Sequence, residues 1–177
     1  MTASLVLTVI GRDRPGLVSA LAEQAAAFGA NWLDSRMAHL AGHFAGMVHL
    51  EVADDRVEPL IAALRGLDAA GLHVEATRAT GAVAAAGRVL ALELVGQDKP
   101  GIVREVSGAL ARCGVSIETF ESEVTSGAMS GEALFRARAR LRVPESVSVD
   151  ELRQAMESLA QELMVDLELA DRPSSGG

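Results

Sequence analysis

Gly11-Arg12-Asp13-Arg14-Pro15-Gly16 returns 85 positions later as Gly96-Gln97-Asp98-Lys99-Pro100-Gly101. The same offset carries Leu5 and Leu7 to Leu90 and Leu92, and Gly29 to Gly114. It also relates Gly42 and Gly46 to Gly127 and Gly131. A period this long exceeds that of a solenoid repeat and describes two copies of one small domain. In each copy the hexapeptide joins an apolar strand to an amphipathic helix.

Working outward from the first hexapeptide, residues 5–10 alternate and are rich in Leu, Val and Ile, the pattern of a strand. Pro15 suits the first turn of a helix, where its missing N–H costs nothing. Val18, Leu21, Ala25 and Phe28 fall at helical spacing, and Gly29 is placed to stop the helix. Strands are expected near 31–39 and 47–53 around a turn at 40–46. Asp55 and Glu58 resemble a capping box before Val57, Leu60, Ile61, Leu64 and Leu67, and residues 72–78 make a last strand.

The second copy repeats this order with strands at 89–95, 116–125, 131–143 and 163–169, and helices at 100–113 and 149–162. Val103, Val106, Leu110 and Cys113 take the helix positions of Val18, Leu21, Ala25 and Phe28. Ser148 and Glu151 form a capping box. By that helix Leu60 answers Leu152, so the offset has grown to 92, with about seven extra residues expected near the third strand and the loop after it. The expected fold is α+β: two ferredoxin-like βαββαβ domains at 1–80 and 89–170, a linker at 81–88 and a flexible tail at 171–177.

Composition narrows the function. Hydrophobic residues make up 49% of the 177 and aromatics only 3%, so the cores are aliphatic. With 16 basic against 24 acidic residues the net charge is −8, and stacking aromatics are scarce, which argues against direct nucleic-acid binding. Cys113 is the only cysteine, which excludes an internal disulfide and a thiolate zinc site. With no run of 18 apolar residues and no basic leader before an apolar stretch, a cytoplasmic chain without a membrane partner is expected.

A strand-to-helix turn aims backbone N–H groups and a positive dipole end at one point, which suits a small anion. Here Asp13, Arg14, Pro15, Gly16 and Leu17, with Asp98, Lys99, Pro100, Gly101 and Ile102, are the candidate ligand-binding residues. Gly16 and Gly101 let a ligand approach the main chain, and backbone N–H groups over 14–17 and 99–102 face its carboxylate. Asp13 and Asp98 either pair with a ligand ammonium or cap the helix; both readings use the same atoms.

A βαββαβ unit with D-R-P-G or D-K-P-G between strand and helix resembles an ACT domain, the small-molecule regulatory module of amino-acid metabolism. Two such units in a chain of this size resemble the glycine cleavage system transcriptional repressor family. The similar segments include Asn31-Trp32-Leu33-Asp34-Ser35-Arg36-Met37-Ala38 with Leu40 and Gly42, Gly96 to Glu105, and Leu163-Met164-Val165-Asp166. The resemblance covers residues 4–80 and 89–169. It implies a ligand lying between the turn and the start of the second strand, often at a domain–domain interface, which adds Asn31 and Ser116. It further implies an amino-acid effector, glycine by the family label alone, and a DNA-binding regulator of the glycine cleavage operon as protein partner. A homodimer is expected, with no cofactor.

The remaining polar clusters carry less. His39 and His43 are four apart, but on a strand and turn that spacing does not put them on one face. His49 and His73 lie elsewhere, so structural histidines are expected and no metal site. Cys113 takes a core position. Arg136, Arg138, Arg140 and Arg142 alternate with apolar residues and so share one sheet face, where Glu93, Glu121, Glu123, Asp166 and Glu168 are expected to pair with them. The matching face of copy one carries Val6, Thr8, Ile10, Met47, His49 and Glu51, less charged and expected to be covered as an interface. A non-catalytic regulator fits this best. A ligand-free dimerisation module and a small ferredoxin-like enzyme are the alternatives, the latter lacking a nucleophile–base set.

Overall fold

The computed structural model describes residues 1–81, 86–126 and 131–171. Gly127 of the repeat, residues 82–85 of the expected linker and residues 172–177 of the expected tail lie outside them. The chain divides into two compact units, Met1–Val83 and Ala84–Gly177.

The first unit runs β1 (Thr2–Arg12), α1 (Leu17–Ala27), β2 (Asn31–Leu40), β3 (His43–Ala53), α2 (Val57–Arg65) and β4 (Leu72–Arg78). The second runs β5 (Arg88–Gln97), α3 (Ile102–Arg112), β6 (Ser116–Ser126), β7 (Ala133–Val143), α4 (Val149–Leu163) and β8 (Val165–Asp171). The sheets are ordered β2-β3-β1-β4 and β6-β7-β5-β8, with antiparallel neighbours throughout. This is the expected pair of ferredoxin-like domains.

Alternation decides which sheet face the helices cover. Ala3, Leu5, Leu7 and Val9 of β1 are buried with Val48, Leu50 and Val52 of β3, while the residues between them point away. Leu17, Leu21 and Ala25 of α1 and Val57, Leu60 and Leu64 of α2 close the first core. Leu90, Leu92 and Leu94 build the second with Ile102, Val106 and Leu110 of α3 and Leu152, Met156 and Leu159 of α4. Each fully buried leucine contributes about 1.5–3 kcal/mol, so both cores are held by side chains the sequence repeats.

Several expectations need correction. The buried stripes of α1 and α3 begin at Leu17 and Ile102, while Val18 and Val103 are each 44% exposed. Leu17 lies one turn before Leu21 and Ile102 one turn before Val106, so the residue after the glycine, not the next one, continues the buried stripe. Phe28 and Cys113 are only partly buried, packed against their cores. Asp55 does not cap α2: a 3-10 turn over Asp54–Arg56 precedes that helix, whose N-cap Arg56 makes no side-chain cap bond. The Ser148 cap does form, with the Glu151 N–H donating to Ser148 Oγ at 3.3 Å.

The paired strands also locate the insertion. Leu40 pairs with His43 across a two-residue turn, whereas Thr125 pairs with Leu134. Most of the added length therefore sits in the β6–β7 hairpin, before the third strand rather than after it. Gly46 pairs with Val9 inside β3 and is matched in register by Ala137, so its correspondence with Gly131 does not hold. Asp171, expected in the tail, ends β8 opposite Leu90.

The outer faces differ in charge, but among the described residues Glu121, Glu123, Asp166 and Glu168 form none of the expected ion pairs with the arginines, and a carboxylate not expected on that face does. Both second strands carry a register shift, between Trp32 and Asp34 and between Ile117 and Thr119. In β6 it swings Glu118 towards β7, where its carboxylate lies 2.9 Å from Arg140 Nε and 2.6 Å from Arg142 Nη2. Glu93 pairs with Arg138 at 3.5 Å. Plain alternation places Glu118 on the opposite face, because it does not register the extra residue of a bulge.

Candidate functional site

The two turns share one backbone. α1 begins after Gly16 (φ 90°) and α3 after Gly101 (φ 97°), both in the left-handed region that favours glycine. Neither helix has a side-chain cap, so Asp13 and Asp98 are not N-caps, and Pro15 and Pro100 lie before the helix rather than in its first turn. The first intrahelical bonds are Ala20 N–H to Gly16 C=O and Glu105 N–H to Gly101 C=O, each 2.9 Å. The amides of residues 17–19 and 102–104 precede these bonds and have no intrahelical acceptor. A Cβ built on Gly16 or Gly101 meets no atom within 4 Å, so the space over each turn is open.

The first glycine of each hexapeptide has a different cause. A Cβ on Gly11 would stand 2.4 Å from the Gly71 carbonyl oxygen, and one on Gly96 2.4 Å from Val165 Cγ1. These glycines let the end of the central strand pass the start of the last strand.

The basic residues are engaged structurally. Arg14 Nη2 donates to the Ala70 carbonyl, at the end of the 3-10 turn that follows α2. Lys99 Nζ donates to the Leu163 carbonyl, the last residue of α4, at 2.5 Å. Each cation thus satisfies a carbonyl where the second helical segment ends and ties the turn to it. Leu17 and Ile102 are 3% exposed and send their side chains into the core, leaving their amides at the turn.

The carboxylates distinguish the two sites. The Asp13 N–H donates to the Gly42 carbonyl at 3.0 Å, and the Asp98 N–H to the Ala133 carbonyl at 2.8 Å, so each hairpin holds its aspartate. Asp13 Oδ2 then lies 3.4 Å from His39 Nε2. Among the described residues Asp98 has no ion pair or side-chain hydrogen bond. His39, expected from the sequence to be a structural histidine, is thus a neighbour of the first turn. The available signal was its place on β2 opposite Phe44, beside the hairpin that anchors Asp13.

Asn31 and Ser116 are not brought to their own turns. Asn31 pairs with Glu51, which pairs with Ser4 at the start of β1, whereas the turn follows Arg12 at its end. The eight residues between span roughly 26 Å at about 3.3 Å per residue. Ser116 pairs with Arg142 and, through it, lies level with Val89, equally far from the turn after Gln97. A groove of about 840 Å³ lined by Arg88, Glu145, Asp150, Arg153 and Asp171 also lies at that far end of the second sheet.

No group of three or more potential metal ligands occurs among the described residues. No helix among them is long and apolar enough to cross a membrane.

Similar structures share this doubled architecture. A crystal structure of an unknown protein from Galdieria sulphuraria is 29% identical, covers 98% of this chain and 100% of its own, and superimposes with a TM-score of 0.87. A structure described as a "putative glycine cleavage system transcriptional repressor" is 18% identical, with coverage of 98% and 99% and a TM-score of 0.75; at that identity the likeness is one of fold. No curated protein sequence is a significant match. The ACT-domain family model matches residues 3–77 and again 88–170, on the two units whose turns have just been described. The chain belongs to the ACT-domain family, with two such domains in tandem.

Proposed function

We propose that this protein is a non-catalytic amino-acid sensor that regulates through a protein partner. The observation that carries this reading is the duplicated turn: an uncapped helix N-terminus, opened by a left-handed glycine, beside an exposed aspartate, built twice on one backbone. The free amides suit a ligand carboxylate and the aspartate its ammonium. The fold likeness to a protein described as a glycine cleavage repressor supports regulation of that operon or of related amino-acid metabolism, with glycine or a similar amino acid as effector. A net charge of −8 favours acting through a DNA-binding protein rather than on DNA itself.

Asn31 and Ser116 belong to this reading only as contributions to a ligand held by the turn of a second copy of the chain, since a single amino acid cannot span the length of one sheet. Assembly follows the same logic. Val6, Ile10 and Met47 make the outer face of the first domain apolar, and a homodimer formed there covers it.

The test is calorimetric titration of the purified chain with glycine, serine and the branched-chain amino acids, backed by thermal shift. A ligand specific to the folded state raises the melting temperature. The reading expects saturable binding of at least one of them, lost when Gly16 and Gly101 are both replaced by Val. The absence of any binding would leave a ligand-free dimerisation module. The structural roles of Arg14, Lys99, Gly11 and Gly96 favour that second reading, because they account for much of the motif without a ligand.

A further inference from the structure

We infer that Arg142 and Glu118 form a charge latch that ties the edge strand β6 to the point where the chain enters the second domain, so that drawing Glu118 away frees that entry.

Glu118 occupies the bulge of β6 between Ile117 and Thr119. Its Oε1 accepts from Arg142 Nε at 2.7 Å and lies 2.6 Å from Nη2, while Oε2 lies 2.9 Å from Arg140 Nε. The remaining nitrogen of Arg142, Nη1, donates to the Gly87 carbonyl at 3.3 Å. One guanidinium therefore holds the bulge on one side and the residue before β5 on the other, a two-ended grip that its planar fork supplies. Arg142 and Glu118 are 23% and 28% exposed, so salt screens this pair less than the open Glu93–Arg138 pair on the same face. Gly87 is closely seated: a Cβ there would stand 2.4 Å from the Val143 carbonyl oxygen. β6 has only β7 beside it, and Arg142 stands on β7 between Ser116 of β6 and Val89 of β5. The first domain is built otherwise. Leu33 holds the bulge position of Glu118, and Glu51, in the place of Arg142, accepts from Thr2 Oγ1 at 3.2 Å. A rearrangement at the start of β6 is thus transmitted to Gly87 in the second domain alone.

Hydrogen exchange of the full chain, read over residues 87–90 and 116–120, tests this. Glu118→Ala is expected to speed exchange about tenfold in both segments, the scale of one charge-assisted contact. Arg142→Lys separates the two ends. An ammonium can hold Glu118 but has no fork to reach Gly87 as well, so exchange is expected to rise over 87–90 and to keep the wild-type rate over 116–120. Glu93→Ala, which removes the pair with Arg138, is expected to leave both segments unchanged. Circular dichroism confirms the fold of each variant. A rise confined to 116–120 in Glu118→Ala, an unchanged 87–90 segment in Arg142→Lys, or an equal rise over 87–90 in Glu93→Ala would overturn the latch.

Discussion

The second and third strands of the two domains hold matching places in their sheets, yet their outer faces are chemically opposed. In the first domain Met47 lies between Arg36 and Thr8 across the sheet, with Val6 and Ile10 nearby on the same face. In the second, the matching row is Glu121, Arg138 and Glu93, and Arg140 and Arg142 continue it. At the bulge, Leu33 in one domain answers Glu118 in the other. The inner faces show no such divergence: leucines and valines occupy both. The difference teaches that the inward alternation specifies this fold, while the outward residues record what each domain meets.

The comparison breaks most severely if the cores are not equivalent. Leu7→Ala and Leu92→Ala remove side chains that are 0% and 1% exposed. Each is expected to cost roughly 2–5 kcal/mol, measured as a lower urea midpoint. A cost below about 1 kcal/mol at either position would show that one core repacks freely and the other does not.

Ile10→Arg sharpens the contrast between outer faces. Ile10 is 50% exposed within the chain, so the domain should fold as before. A dimer formed on this face should lose about 2–4 kcal/mol of association by burying an unpaired charge, seen by light scattering as dissociation. Persistence of the dimer would place its contact elsewhere.

Glu118→Ala removes a carboxylate shared by two guanidiniums and only 28% exposed, and is expected to cost roughly 1–2 kcal/mol. Leu33→Ala, at the matching bulge and about half exposed, is expected to cost less than about 1 kcal/mol. Equal losses in chemical denaturation would mean that the charge clamp adds nothing to its domain.

The smallest effect should also be the most symmetric. Gly16→Ala and Gly101→Ala clash with nothing but force a Cβ into the left-handed region, at about 1 kcal/mol each. Thermal denaturation giving unequal shifts would show that the two turns are not the same backbone under load.

Much of this protein could be read from its chain, and the reason is local. Period-two and helical spacing mark each element from neighbours a few residues away, so the βαββαβ order and the duplication are legible, while the left-handed backbone at Gly16 and Gly101 is not. Even there spacing has a limit: Leu17 and Val18 both fall within one turn of Leu21, and only the structure shows that Leu17 is the buried one. The site depended on longer connections. Strand order put Asn31 and Ser116 at the far ends of their sheets, and pairing register brought His39 to Asp13. A bulge turned Glu118 onto the arginine face, and the packing of the second helix brought its last carbonyl to Arg14 or Lys99. Sequence by itself determined the elements and their duplication, because periodic preferences act over a few residues. Only the tertiary structure decided which charges meet, because those encounters join residues as many as 64 positions apart.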